Sequence, residues 1–222
     1  MSRTQLLAVD LDGTLVDSAP DIAHCLGSAL AALGLPTPGE SLTRVWIGDG
    51  LETLIARAIA HSAPGSANDT ERQKAALAAF RACYKDNLFV RSRLYPKAVE
   101  TLDSLRARGV RLCCITNKSH AFSAELLRQA AVLDRFELLL GGDSLAEKKP
   151  SPLPLTTAAR KLGVEPAAAT LVGDSHQDLR AARAAGYSFV FASYGYGKVD
   201  ESEVGSARRI ARFAELAALF AS

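Results

Sequence analysis

The sequence predicts an α/β fold: a parallel sheet with helices on both faces, and a small α-helical insert after the first strand. Short apolar runs alternate with helical patterns from Pro96 onward. An apolar run that ends at Val9 reads as a buried strand of the same sheet. Residues 18 to about 90 contain helical patterns and no convincing strand. Together these observations predict a Rossmann-like core that carries a helical cap.

Each core element follows from its local pattern. Helices are indicated by apolar residues three or four apart, often with a glycine stop such as Gly109, Gly163 or Gly186. Strands are indicated by short continuous apolar runs. The predicted strands after the first are 110–115, 136–140, 169–172 and 187–192. The predicted helices are 97–108, 119–130, 153–162, 177–185 and 213–220.

The insert begins with a helix start at Ser18, which we expect to be its N-cap. The apolar stripe of this helix runs from Ile22 to Leu33 and ends at Gly34. A second long helix is predicted over 71–88. We therefore divide the chain into an α/β catalytic core (1–16 and 92–222) and an α-helical cap (17–91).

Composition excludes several function classes. The 222 residues carry a formal net charge of +2, too small to indicate nucleic-acid binding. We expect no membrane span and no signal peptide, and therefore a cytoplasmic protein. None of the four cysteines forms a C-x-x-C pair, so we expect neither a zinc site nor a disulfide framework.

Two aspartates, Asp10 and Asp12, stand directly after the first predicted strand. Aspartate is depleted in strands and is almost never buried without a partner. Two carboxylates at this position repel each other and resist desolvation. A bound cation, or chemistry that uses a shared proton, would explain the arrangement.

Three more polar clusters follow later strands, and ligands of an open parallel sheet bind beyond the carboxyl ends of its strands. The carboxylates offer hard oxygen ligands that suit Mg²⁺. The hydroxyl and backbone N–H groups suit phosphate oxygens, and a lysine adds positive charge. Phosphoryl transfer needs mainly positioning and charge neutralisation. The clusters are Thr116-Asn117-Lys118, Lys148-Lys149-Pro150 and Gly173-Asp174-Ser175-His176-Gln177-Asp178.

Each cluster also has a plainer interpretation. Asp174 and Asp178 could cap the following helix and stabilise its dipole. Thr116 to Lys118 could be a helix-entry turn, and Lys148 and Lys149 a solvated pair. Ser175 and His176 lack the G-x-S-x-G context of a serine nucleophile. The four clusters occurring in order favour one shared pocket over these separate interpretations.

These segments resemble the four ordered motifs of the haloacid-dehalogenase-like superfamily, and the helical insert resembles its small cap. Trp46-Ile47-Gly48-Asp49-Gly50 and Tyr194-Gly195-Tyr196-Gly197 resemble segments of bacterial phosphoglycolate phosphatases. The chain departs from the pattern at Gln177, where these proteins usually have Asn. The motif segments are Asp10-Leu11-Asp12-Gly13-Thr14, Thr116-Asn117-Lys118, Lys149-Pro150-Ser151-Pro152, and Gly173-Asp174-Ser175 with Asp178.

The resemblance implies a role for each motif residue. Asp10 would attack phosphorus, and Asp12 would act as general acid and base. Mg²⁺ would bind the Asp10 carboxylate, the Asp12 backbone carbonyl and Asp174, with Asp178 as support. Thr116, Asn117 and Lys149 would hold the phosphate. Arg44, Asp49 and Gly50 are candidates for facing the substrate.

The resemblance further implies a Mg²⁺-dependent phosphatase that acts through an aspartyl-phosphate on a small phosphorylated metabolite, first of all 2-phosphoglycolate. Alternatives are another substrate, such as N-acetylmuramate 6-phosphate, another sugar phosphate or pyrophosphate, and a phosphomutase. A haloacid dehalogenase would not need Asp12, and a non-catalytic binding module would not need these acids intact. We expect a monomer or homodimer without nucleic-acid or membrane partners.

Overall fold

The computed structural model describes residues 4–65, 69–197 and 199–220, and six of its strands form one fully parallel sheet in the order β5-β4-β1-β6-β7-β8. The α/β fold class predicted from the sequence is confirmed. The strands are β1 (Leu6–Val9), β2 (Val16–Asp17), β3 (Arg93–Leu94), β4 (Arg111–Ile115), β5 (Leu138–Leu140), β6 (Ala169–Gly173), β7 (Ser188–Ala192) and β8 (Arg208–Ile210).

Helices cover both faces of this sheet and fill the segment between β2 and β3. No helix in the described ranges is long and apolar enough to cross a bilayer. The helices are α1 (Ala19–Ala31), α2 (Glu40–Trp46), α3 (Leu51–Ser62), α4 (Thr70–Asp86), α5 (Ala98–Ala107), α6 (His120–Gln129), α7 (Leu153–Lys161), α8 (His176–Ala185), α9 (Glu201–Val204) and α10 (Leu216–Leu219), with 3₁₀ turns at Leu133–Arg135, Pro166–Ala168 and Phe213–Glu215.

Strand β1 lies at the centre of the sheet and is buried on both faces. Its last residue, Val9, pairs with Cys114 of β4 and with Val172 of β6. Alternate side chains of a strand point to opposite faces, so the sheet separates two apolar clusters. This register brings the carboxyl ends of β1, β4 and β6 side by side at one edge.

Two strand pairings were missed by the sequence patterns. Edge strand β8 has three residues, two of them arginines, so it shows no apolar run. Strands β2 and β3 have two residues each and pair antiparallel, with Val16 opposite Leu94. Such short elements form because the rest of the fold places them side by side, which local patterns do not record.

The segment between β2 and β3 is helical, as predicted. Helix α1 packs against α4 and α2, and α3 packs against α4. The stripe that begins at Ile22 is buried, and so are Phe80 and Tyr84 on α4. Helices α2 and α3 were not resolved individually by the sequence patterns. The division into a core and a cap at residues 17–91 stays a prediction.

No disulfide framework was expected from the cysteine spacing, but the fold contains one disulfide. Cys25 of α1 and Cys83 of α4 are joined by a disulfide, with their Cα atoms 5.5 Å apart. The partners are 58 residues apart in sequence, so spacing alone could not identify them. Cys113 and Cys114 are free and buried in β4, as their apolar context predicted.

The two ends of the helical segment are held together by the buried carboxylate of Asp21. It accepts hydrogen bonds from the backbone N–H of Arg91 and from the N–H and hydroxyl of Ser92, at 2.6–3.0 Å. Asp21 is in the first turn of α1, and Ser92 directly precedes β3. This side chain therefore fixes the point where the chain leaves and re-enters the α/β core.

We expect Asp21→Ala to lower the free energy of unfolding by about 3 kcal/mol, because it leaves buried donors without an acceptor. Asp21→Asn keeps an acceptor oxygen and should cost less. Urea denaturation monitored by circular dichroism measures both. The exposed Asp86→Ala is the control and should stay within about 0.5 kcal/mol of the unsubstituted protein. Equal effects of Asp21→Ala and Asp86→Ala would contradict this assignment.

Candidate active site

Three carboxylates predicted from separate segments meet at the carboxyl edge of the sheet. Asp10 follows β1, Asp174 follows β6, and Asp178 lies in the first turn of α8. One oxygen from each carboxylate lies within 4.8 Å of the others, and all three residues are buried. The strand order therefore concentrates negative charge at one buried point.

Lys149 is the cation that balances this cluster. Its Nζ donates to Asp10 Oδ1 at 2.8 Å, to Asp178 Oδ1 at 2.6 Å and to the carbonyl oxygen of Ile115 at 2.6 Å. All three ammonium donors are thereby used. Burial disfavours the charged ammonium, but the two carboxylates outweigh it and raise the pKa of Lys149 above its usual range.

Asp178 was predicted only as a support for the metal ligands, and the structure places it inside the carboxylate cluster. It also completes a capping box at the start of α8: the N-cap Ser175 accepts from the backbone N–H of Asp178, and Asp178 accepts from the backbone N–H of Ser175. The N-cap is therefore Ser175 and not Asp174, Asp178 is the first-turn acid of the plainer interpretation, and the capping box holds it beside Lys149. A role for Asp178 in the chemistry stays a prediction.

Asp174 is oriented by backbone donors from the segment Tyr194–Gly197. The N–H groups of Tyr196 and Gly197 donate to Asp174 Oδ2 at 2.6 and 3.0 Å, and Thr14 Oγ1 donates to Oδ1 at 3.2 Å. A Cβ on Gly13, which has φ +83°, would lie 2.4 Å from Oδ2. The residue at position 13 must therefore be glycine for both its backbone conformation and this close contact.

The charge balance of the cluster fits a bound cation. Burial, followed by the charge of Asp178, raises the pKa of Asp10 to about 8 against the lowering effect of Lys149. Burial and Asp178 also raise the pKa of Asp174 to about 6. Three carboxylates face one lysine, so a divalent cation would stabilise their ionised forms. The oxygen donors here are of the type that hard cations prefer.

Asp12 faces away from this cluster, toward two other side chains. Lys118 Nζ lies 3.0 and 3.1 Å from its carboxylate oxygens, and the Ser18 hydroxyl donates to Oδ1. Ser18 is at the N-cap position of α1, as predicted, but its side chain does not cap the helix. The Asp12 carboxylate lies outside the three-carboxylate cluster, and a metal contact through its backbone carbonyl stays a prediction.

Thr116 and Asn117 follow β4 at the same edge, and both are buried. Thr116 Oγ1 accepts from the backbone N–H of Lys118 at 3.2 Å. Asn117 Nδ2 donates to the carbonyl oxygens of Lys149 and Gly48, each at 2.9 Å. The amide side chain of Asn117 thus holds the loop that carries Lys149 in place, a role that the sequence pattern did not identify.

A cavity of about 250 Å³ opens above Asp10 and Asp12. This is smaller than the roughly 300–1,000 Å³ typical of sites for drug-sized ligands, so the cavity suits a small metabolite. Its polar floor comes from the sheet edge, and its apolar wall comes mainly from the helical segment. The apolar wall includes Ile22, Ile47, Leu51, Leu54, Phe80 and Phe122.

The loop 48–50, between α2 and α3, closes one side of this cavity. Asn117 binds the carbonyl of Gly48, Lys148 Nζ donates to the carbonyl of Asp49 at 2.7 Å, and Gln177 Nε2 donates to Asp49 Oδ1. Gln177 thus reaches this loop from the position where the family pattern usually has Asn. Two loops at the sheet edge and the first turn of α8 therefore hold the loop 48–50.

Of the three candidates for facing the substrate, one lines the cavity and two do not. Gly50 lines the cavity. Asp49 is not among the lining residues, and its carboxylate binds Arg57 and Gln177. Arg44 is not a lining residue either: its guanidinium binds Asp17 and Glu40 and lies 5.0 Å from the Tyr196 ring centroid. The ion pair between Arg44 and Asp17 joins α2 to β2, away from the residues that line the cavity.

The fold is a parallel α/β sheet whose carboxyl edge carries buried carboxylates that could hold a cation, with a buried lysine beside them. The family model described as haloacid dehalogenase-like hydrolase matches residues 4–186. The chain therefore belongs to the haloacid dehalogenase-like hydrolase family.

Relatives within this family cover most of the chain. The phosphoglycolate phosphatase of Nitrosococcus oceani is 43% identical over 196 residues, covering 88% of this chain and 87% of the relative. That of Neisseria meningitidis is 41% identical over 197 residues, covering 89% and 83%. A crystal structure named a "predicted phosphoglycolate phosphatase" from Haemophilus somnus is 35% identical, with a TM-score of 0.93 and 99% of both chains covered.

Removal of the Gln177 side-chain amide should loosen the loop 48–50. We expect Gln177→Ala to speed amide hydrogen exchange at residues 47–51 several-fold, with unchanged exchange in β1 and β6, because only a local contact is lost. Exchange followed by mass spectrometry measures this. Gln129→Ala is the matched control, since Gln129 bonds only locally to Glu125 on the exposed face of α6. Unchanged exchange at 47–51 in Gln177→Ala would contradict a holding role for Gln177.

Proposed function

We propose that this hydrolase is a Mg²⁺-dependent phosphatase that converts 2-phosphoglycolate to glycolate and phosphate through an aspartyl-phosphate on Asp10. One observation carries the proposal: Asp10 and Asp12 line the same small cavity, but their carboxylates have different partners. Asp10 is bound by Lys149, and Asp12 by Lys118 and Ser18. The two acids are thereby suited to two different tasks.

In the first step, a carboxylate oxygen of Asp10 attacks phosphorus as the bond from phosphorus to the ester oxygen breaks. Asp12 gives its proton to that leaving oxygen, so the alcohol departs neutral. Lys149 is fully buried beneath Asp10, where its charge favours the ionised carboxylate that attack requires. The Lys149 ammonium therefore stabilises the ionised Asp10 carboxylate without being exposed to the cavity.

In the second step, Asp12 takes a proton from water, and the resulting hydroxide attacks phosphorus of the aspartyl-phosphate. The bond from Asp10 to phosphorus breaks, which releases phosphate and regenerates the carboxylate. Asp12 is again protonated and ready for the next ester. Ser18 and Lys118 hold the Asp12 carboxylate in place for both proton transfers.

Thr116 and Asn117 are proposed to hold the phosphate oxygens, through the hydroxyl and a backbone N–H. The phosphate contact predicted for Lys149 is not kept, because its three ammonium donors bind Asp10, Asp178 and the Ile115 carbonyl. Both line the cavity beside Asp10. Asp10 and Asp174 would hold Mg²⁺, with Asp178 behind them and the Asp12 backbone carbonyl as a further ligand. When bound, the ion supplies positive charge that stabilises charge developing on the phosphoryl oxygens.

Residues 17–91 are proposed to act as a cap over this chemistry. The cavity lies between the helical segment and the sheet edge, and Asp21 fixes the point where the two connections meet. A cap of this kind excludes water from the site and adds substrate contacts.

The choice of 2-phosphoglycolate is supported by the relatives and by the size of the cavity. Relatives at 41–43% identity carry the name phosphoglycolate phosphatase. A cavity of about 250 Å³ favours a small phosphate ester over a bulky one. A cytoplasmic location and a monomeric or homodimeric state stay predictions.

Asp10→Asn should lower kcat at least roughly 10³-fold, because the amide cannot act as the nucleophile. The melting temperature should fall by no more than a few degrees, since the substitution is nearly isosteric and removes charge from an acidic cluster. Phosphate release from 2-phosphoglycolate and differential scanning fluorimetry measure the two quantities. A large fall in melting temperature would indicate a structural rather than a catalytic residue.

Removal of divalent cations should abolish turnover of both 2-phosphoglycolate and p-nitrophenyl phosphate. We expect EDTA to stop phosphate release and added Mg²⁺ to restore it, because the clustered carboxylates need a counter-charge. Asp174→Asn should raise the Mg²⁺ concentration required for half-maximal activity, whereas the surface variant Asp86→Asn should not. Folded protein that turns over neither ester with Mg²⁺ would refute the proposed function.

A further inference from the structure

The cationic side chains that line the cavity differ in whether a carboxylate is paired with them. Lys118 and Arg81 are paired with the carboxylates of Asp12 and Glu52. Within the described ranges, no ion pair joins Lys148 to a carboxylate, and its Nζ donates instead to the Asp49 carbonyl at 2.7 Å. Lys148 therefore presents a positive charge to the cavity that no described carboxylate neutralises.

The position of this ammonium is fixed by its neighbours. A Cβ placed on Gly50 would lie 2.8 Å from Lys148 Nζ and 3.4 Å from the carbonyl oxygen of Asn117. The ammonium thus lies close to Gly50 and to Asn117, one of the residues proposed to hold phosphate. A lysine ammonium has three donors, and Asp49 takes one of them. Two donors are left for a ligand.

A buried hydroxyl that lines this cavity has no hydrogen-bond partner in the part of the chain that the structure describes. Tyr84 is 1% exposed, lines the cavity, and its hydroxyl has no hydrogen-bond partner among the described residues. Buried polar groups are nearly always hydrogen-bonded, so a partner from outside the chain would explain this one.

We propose that Lys148 binds the carboxylate of the substrate and thereby selects a phosphate ester that carries a second anionic group. This inference rests on the proposed function. In 2-phosphoglycolate the carboxylate is one carbon from the ester oxygen, so both anions must be bound within a few ångströms. Adjacent lysines then have separate tasks: Lys149 is buried under Asp10, and Lys148 faces the substrate.

A purely structural role for Lys148 makes a different prediction. If its only task were to hold the Asp49 carbonyl, its loss would weaken turnover of every phosphate ester by the same factor. If it also binds the substrate carboxylate, its loss would lower turnover of an ester that carries one by a larger factor than turnover of an ester that does not. The discriminating quantity is therefore the ratio of kcat/KM for two esters of equal size that differ in that group.

The experiment compares 2-phosphoglycolate with 2-hydroxyethyl phosphate, its neutral-tail analogue, at fixed Mg²⁺ and ionic strength. We expect Lys148→Met to lower kcat/KM for 2-phosphoglycolate about 10- to 100-fold, mainly through KM, because a charge-assisted contact is lost. For 2-hydroxyethyl phosphate, kcat/KM should fall by a clearly smaller factor, because only the contact with the Asp49 carbonyl is lost, and its remaining turnover shows that the variant is folded. Lys148→Arg keeps the charge and should retain most of the preference.

The control is Lys74→Met, which removes an exposed lysine paired with Glu71 on α4. It should leave both kcat/KM values unchanged. Equal losses on both esters in Lys148→Met, or a preference lost as fully in Lys148→Arg, would overturn the inference. Unsubstituted enzyme that does not prefer 2-phosphoglycolate would overturn the proposed substrate itself. A preference that survives Lys148→Met would overturn only the role of Lys148.

Discussion

The contact on which the site depends is the buried ion pair between Lys149 and Asp10, with Asp178 as a third member. Burying charges costs several kcal/mol per ion, and such pairs are often no more stable than apolar replacements. Three carboxylates against one ammonium is less favourable still. A cluster of this composition is explained by what it does for a ligand, since it adds little to the stability of the fold.

The fold supplies the positions that this cluster needs. Because β1 lies between β4 and β6, the residues after all three strands meet at one edge. The capping box at the start of α8 holds Asp178, and the backbone of Tyr194–Gly197 holds Asp174. Rigid elements thus provide the hydrogen bonds that keep repelling carboxylates in place. A shift of one residue in β1 would move Asp10 away from Lys149.

The core strands and the residues at their ends could be predicted from sequence because both depend on local patterns. Continuous apolar runs identified β1, β4 and β6, and the polar residues after them led to Asp10, Thr116 and Asp174. Contacts between distant segments could not be predicted in this way. The Cys25–Cys83 disulfide and strand β8 depend on the tertiary arrangement, as does the contact between Ser18 and Asp12.

Arg44 is a predicted site residue whose tertiary contacts likewise could not be predicted from sequence. Arg44 was a candidate for facing the substrate, yet its guanidinium is paired with Asp17 and Glu40. The sequence gives the charge of a residue but not which oppositely charged side chain pairs with it in the folded protein. The partners of Arg44 come from β2 and from its own helix. Lys148, next to the lysine that the motif identifies, lines the cavity and has no ion pair with a described carboxylate.

The loop 48–50 connects substrate recognition to the chemistry of the sheet edge. Asn117 belongs to the loop after β4, and Lys148 to the loop that carries Lys149. Gln177 belongs to the first turn of α8, next to Asp178. A displacement of the loop 48–50 therefore removes contacts from all three segments at once. Because these contacts are short and directional, the docked loop and the assembled site stabilise each other. The loop 48–50 is therefore held in this position only when the residues of all three segments are in place.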